Sequence, residues 1–185
     1  MRCFVAVPIG EELRAALADA MAGWREHPEA DGLRWTDADA WHVTVAFLGS
    51  VDAEAIARLQ ALIGDVAAHN EPMQLRTGDL GAFPSAGRAR VVWYGIADAD
   101  GAMAALSADL HAALGMEVAT RYRPHLTLAR ARRQAVDLRA WLAHASAPSG
   151  ELMVDRLELM RSHLGRGPAR YESISSAVLG VASHG

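Results

Sequence analysis

The chain contains no lysine: all 18 of its basic residues are arginine. A Walker-type phosphate loop needs that lysine, a Schiff-base enzyme needs its amine, and an ATP-dependent ligase carries adenylate on it. All three classes are excluded. Cysteine is nearly missing too. Cys3 stands alone among 185 residues, which rules out an intrachain disulfide and a cysteine-rich zinc site. It reads as a small buried hydrophobe. No apolar run approaches the roughly 20 residues that span a bilayer. The opening Met1-Arg2-Cys3-Phe4-Val5-Ala6-Val7 meets Pro8 too soon for a secretory signal, and Glu11 and Glu12 follow, so it reads as a first strand. The expectation is a cytoplasmic protein that makes no use of a membrane.

What is present is ordinary for a folded domain: 51% hydrophobic and 22% charged residues, with a net charge of −4. That charge is unevenly spread. Residues 1–120 carry 8 Arg against 17 acids, and residues 121–185 carry 10 Arg against 5. The C-terminal third is therefore expected to be the side that meets a polyanion. Arginine suits the task, because it keeps its charge and offers a planar fork to phosphate oxygens.

Hydrophobic periodicity predicts strands over 2–7, 33–36, 42–48, 73–80, 90–96 and 123–129. A closing pair is expected over 152–160 and 171–178, around a Gly165-Arg166-Gly167-Pro168 loop. Helical spacing covers 11–24, a segment carrying Ile56, Leu59, Ile63 and Val66 with Asp52 as its N-cap, and one running through Met103, Leu106, Leu110 and Leu114 to Gly115. A short helix is expected over 136–145. Several strands follow one another with no helix between, which points to antiparallel pairing and an α+β class. Nothing in the sequence splits the chain, so residues 1–185 are read as a single catalytic domain, built as two lobes.

Two tetrapeptides stand out: His42-Val43-Thr44-Val45 and His125-Leu126-Thr127-Leu128. With five threonines in the chain, a threonine two residues after a given histidine has a chance of about 3%. A lone His-x-Thr is ordinarily a half-buried strand histidine beside a β-favouring threonine. Two matched copies in apolar, strand-like settings are another matter. On a strand, His42 and Thr44 share one face and Val43 and Val45 the other, so each motif anchors in the core and presents imidazole and hydroxyl together, roughly 6–7 Å apart. Side by side, the strands would gather four groups around a space the size of a phosphate. One imidazole accepts a proton while the other donates one near neutral pH, and the hydroxyls hold phosphoryl oxygens. Such a site cleaves a phosphodiester without a metal. With no His-Glu-x-x-His helix and no second cysteine, neither a metal nor any other cofactor is expected.

At these motifs the chain resembles the two-histidine (2H) phosphoesterase superfamily, and within it the bacterial and archaeal RNA 2',3'-cyclic phosphodiesterases historically called 2'-5' RNA ligases. The likeness extends to Arg2–Val7, to Leu33-Arg34-Trp35, to the run from Trp41 to Gly49, to Ala89-Arg90-Val91-Val92-Trp93, to the run from Arg123 to Arg130, and to the closing Leu159-Met160-Arg161-Ser162 and Gly167-Pro168-Ala169-Arg170-Tyr171. Val43 and Val45 replace the commoner leucines of the first motif. The resemblance implies a bilobal α+β fold with a central cleft between two antiparallel sheets and helices outside. It implies His42 as proton donor to the leaving 3' oxygen and His125 as the base that activates water, giving an RNA end with a 2'-phosphate. Thr44 and Thr127 would hold the phosphoryl oxygens.

Arg130 is a candidate for binding substrate phosphate, although five residues past His125 a regular strand would point it away unless a bulge intervenes. Arg121, Arg123, Arg132 and Arg133 are read as an electrostatic rim. Trp35, Trp41 and Trp93 are read as core residues that could stack on a base. His27, His69, His111, His144, His163 and His184 lack a following threonine and are read as surface or structural. The substrate is expected to be RNA ends or cyclic nucleotides, with no obligate protein partner. Three rival readings remain at this stage: reversible, ATP-independent 2'-5' joining of RNA ends, an RNA-end or nucleotide-binding module without turnover, and hydrolysis of a different cyclic phosphodiester, such as one in a small nucleotide metabolite.

Overall fold

A computed structural model describes residues 1–118, 121–163 and 169–181. Its strands are β1 (Arg2–Pro8), β2 (Leu33–Trp35), β3 (His42–Ser50), β4 (Met73–Phe83), β5 (Val91–Ile96), β6 (His125–Ala131), β7 (Gly150–Val154), β8 (Arg156–His163) and β9 (Arg170–Val178). The helices are α1 (Glu11–Arg25), α2 (Ile56–Ala68), α3 (Ala102–Ala113) and α4 (Arg139–His144). The α+β class read from the sequence is the one found. Every strand pair is antiparallel, in the order β7-β4-β5-β6-β3-β1-β8-β9, with β2 added alongside β6. Where two sheets were expected, one hydrogen-bonded path runs through. It narrows at its middle to a single residue pair, Val43 opposite Leu126, between β3 and β6.

The helices form because their apolar positions recur at helical spacing. Leu13, Leu17, Met21 and Trp24 of α1 are buried, as are Leu59, Ile63 and Val66 of α2 and Met103, Leu106 and Leu110 of α3. Together with Val5, Val7, Val43, Val45, Leu126 and Leu128 they make one continuous core. Both histidine-bearing strands therefore have one face locked in hydrocarbon. Among the described residues no helix is long and apolar enough to cross a membrane.

Three local expectations are corrected. The strand expected over 152–160 is two strands, at opposite ends of the sheet: β7 pairs with β4, and β8 pairs with β1 and β9. The chain changes partner at Asp155, whose carbonyl accepts from the Leu179 amide at 2.8 Å. The helix expected over 136–145 is shorter, because Val136 spends both its amide and its carbonyl on Ala89. Asp52 leads into a 3-10 turn, Ala53–Ala55, and its side chain makes no capping bond. The loop at 165–168 and His184 lie outside the described residues.

Candidate active site

The two motif strands meet at the central residue of each motif. Antiparallel register about Val43 and Leu126 sets His42 on the side of Thr127 and His125 on the side of Thr44. Each strand is then interrupted in the same way. The pairing of β3 with β1 passes from Thr44 to Ala46 and skips Val45; the pairing of β6 with β5 passes from Thr127 to Ala129 and skips Leu128. Each bulge leaves two consecutive core residues, Val45-Ala46 and Leu128-Ala129, and returns the following side chain to the cleft. Those side chains are Phe47 and Arg130. The odd offset that would have turned Arg130 away is cancelled by the extra residue.

Backbone oxygens at the bulges find partners from other elements. The Thr36 amide donates to the Leu128 carbonyl at 2.8 Å. Ser107 on α3, 2% exposed, donates its hydroxyl to the Val45 carbonyl at 3.0 Å. The Tyr122 hydroxyl donates to the Thr44 carbonyl at 2.9 Å.

His42, Thr44, His125, Thr127 and Arg130 all line one cleft, with a volume of about 1300 Å³. His42 Nδ1 lies 2.8 Å from the Ala40 carbonyl and His125 Nδ1 lies 2.8 Å from the Arg123 carbonyl. A carbonyl only accepts, so Nδ1 carries the proton in both rings and Nε2 is the nitrogen left for chemistry. Burial pushes the His42 imidazolium down to about 4, with the nearby charges of Arg130 and His125 adding to the effect and the Ala40 bond opposing it. Burial also lowers His125, again against its backbone bond and with the help of Arg130 and Arg123. Both rings are therefore neutral bases near pH 7 until an anion enters. Arg130 acts on both, which places its charge beside the pair.

Each ring is also held by aromatics. His42 lies 4.7 Å from Phe4 and 4.9 Å, edge-on, from Tyr171. His125 lies 5.1 Å from Phe83 and 6.5 Å from Trp93, whose ring also carries the Arg123 guanidinium at 5.6 Å. Trp41 is core, and Trp35 joins Trp24 and Trp141 in an aromatic cluster. Cys3 is buried as expected, and its thiol is pushed up by that burial. His27 pairs with Glu29, and His163 with Glu172 at 2.9 Å. His111 is buried and donates to the Ser107 carbonyl.

The arginine rim differs from the one expected. Arg121 and Arg123 line the cleft, whereas Arg132 is tied to the Leu33 carbonyl at 2.9 Å and neither it nor Arg133 lines it. Arg2 and Arg34 take their places, both from the acidic N-terminal stretch that charge counting had set aside. Tyr122, Ser107 and Phe47 were also missed. For Phe47 a signal was there to read, since it stands at the same distance from His42 as Arg130 does from His125.

A family model described as the 2'-5' RNA ligase superfamily matches residues 11–166. The chain belongs to that superfamily. Its relatives include the RNA 2',3'-cyclic phosphodiesterase of Archaeoglobus fulgidus, 28% identical over 168 residues that cover 89% of this chain and 92% of that one. The RNA 2',3'-cyclic phosphodiesterase of Thermus thermophilus is 32% identical over 145 residues, 70% of this chain and 68% of its own. Among solved structures, E. coli LigT complexed with 3'-AMP is similar with a TM-score of 0.73 at 27% identity, covering 96% of this chain and 97% of that one. The chain and LigT thus share the fold along nearly their whole length.

Proposed function

We propose that this superfamily member hydrolyses the 2',3'-cyclic phosphodiester ends of RNA to 2'-phosphomonoester ends, by acid–base catalysis between His42 and His125 without a metal. The observation that carries the reading is the matched pair of imidazoles, each with Nδ1 tied to the backbone and Nε2 free, in one cleft with Arg130. His125 Nε2 takes a proton from water as its oxygen attacks phosphorus. The bond from phosphorus to the 3' oxygen breaks, and that oxygen takes the proton from His42 Nε2. His42 must be charged to do so. The substrate's own phosphate anion favours the imidazolium and offsets the depression that burial and Arg130 impose. Thr44 and Thr127 donate to the non-bridging oxygens, and Arg130 binds the phosphoryl group.

The same reading takes residues 1–185 as one bilobal catalytic domain, the halves of the sheet on either side of Val43 and Leu126 being its lobes. It takes the cell interior as the place of work. The relatives' names support the substrate class. The test is an assay in chelator on a 2',3'-cyclic nucleotide, with His42→Ala and His125→Ala alongside. Release of a 2'-phosphate by the wild type and its loss in both variants is the expected result. Activity retained in either variant overturns the paired mechanism, and joined RNA without a 2'-phosphate product would favour ligation.

A further inference from the structure

Arg34 and Arg130 are directly opposed partners in the antiparallel pairing of β2 with β6. Both are exposed, and both line the cleft. Among the described residues neither makes a salt bridge or a side-chain hydrogen bond to the protein. Like charges placed directly across two strands repel and cost stability unless something of opposite sign lies between or beside them. The cleft supplies little: Asp37 is the one acidic residue among the described residues that line it, and it makes no ion pair with either arginine.

The two arginines are not equivalent. Arg130 depresses both imidazoles, so its charge lies within reach of the reacting phosphate. Arg34 stands on the neighbouring strand β2, which sets it one strand spacing from Arg130 along the same cleft. Of the other cleft arginines, Arg121 lies in the turn that leads into β6 and not on a strand. Arg123 lies over the Trp93 ring, and Arg2 sits at the start of β1 opposite Ser50 and Ser162. A planar guanidinium held beside a phosphate site, and displaced from it by one strand-to-strand spacing, fits a second phosphate on the same molecule.

We propose that Arg34 binds the phosphodiester on the 5' side of the terminal nucleotide, and so makes the site select an RNA end over a free cyclic mononucleotide. This rests on the functional reading above. Backbone contacts of this kind carry no sequence information, so the preference is for chain and not for base.

The test compares a 2',3'-cyclic mononucleotide bearing a 5' hydroxyl with a dinucleotide ending in a 2',3'-cyclic phosphate, on wild type and Arg34→Gln. The ratio of kcat/KM for dinucleotide over mononucleotide should fall by about tenfold in the variant, the loss of one charge-assisted contact. The salt slope for the dinucleotide should flatten by about 0.7, the share of a single-strand phosphate. Equilibrium binding of the corresponding 2'-phosphate products reads the same ratio without turnover, so a protein that fails to hydrolyse either substrate still tests Arg34. A ratio that stays at the wild-type value in both readouts overturns the proposal.

Discussion

Among the described residues Val43 and Leu126 are the one pair in hydrogen-bonded register between the strands of the two histidine motifs, and each lies between the histidine and the threonine of its motif. This single contact sets the mutual register of all four polar groups. It also sits between two bulges of the same construction, so the site is approximately two-fold: imidazole, hydroxyl and a returned side chain from each strand. The symmetry is broken where it matters chemically. One strand returns Arg130 and the other Phe47, which is 69% exposed. One strand offers a charge to a phosphate, and the other an aromatic face.

The depressed histidines make stability depend on pH. Above pH 6.5 His42 is neutral in both folded and unfolded chains and contributes nothing. As pH falls from 6.5 towards about 4, the unfolded chain takes up a proton that buried His42 refuses. The folded state then loses up to about 3 kcal/mol. Denaturant titrations across this range should show that loss, and His42→Gln should flatten the slope. An unchanged slope would mean that the ring is not held neutral.

The same shifts predict the kinetics. With His42 as acid and His125 as base, kcat/KM rises as His125 loses its proton and falls as His42 loses its own. Both groups lie below 6.5 in the free protein, so the optimum of kcat/KM should lie on the acid side of pH 6.5. The optimum of kcat should lie higher, since a bound phosphate anion stabilises the imidazolium. Coincident profiles would deny the anion that role.

The bulge on β3 is held from outside its own sheet, and this is testable in two places. Ser107→Ala removes the hydroxyl donor to the Val45 carbonyl, and Tyr122→Phe removes the donor to the Thr44 carbonyl while keeping the ring. Each should cost about 1 kcal/mol in stability. Each should also lower kcat more than it raises KM, because the slackened bulge carries Thr44 and Phe47 with it. A pure stability loss with kcat intact would reduce both contacts to scaffolding.

Gly81 matters for a steric reason. A Cβ there would overlap the Trp93 ring, which stands across the strand pair from Gly81 with its centroid 6.5 Å from that of His125. Gly81→Ala should force the ring away, destabilise the protein by about 1–3 kcal/mol and lower kcat. Gly78→Ala, on the same strand with nothing within 4 Å of the added methyl, is the matched control and should be near neutral.

The two motifs, the faces their side chains take, most strand and helix positions and the α+β class are legible in the chain alone, because all of these follow from alternation and helical spacing within a few residues. It even held a clue to the split strand near 155: the buried residues Leu152 and Val154 are out of phase with Leu157 and Leu159. Which partners those two strands choose is a matter of distant contacts, and no local pattern records it. The same holds for the bulges. An added residue shifts the face of everything after it, and whether a strand bulges depends on what lies across from it. That is why the return of Arg130, the exposure of Phe47 and the opposition of Arg34 to Arg130 were decided only by the tertiary structure.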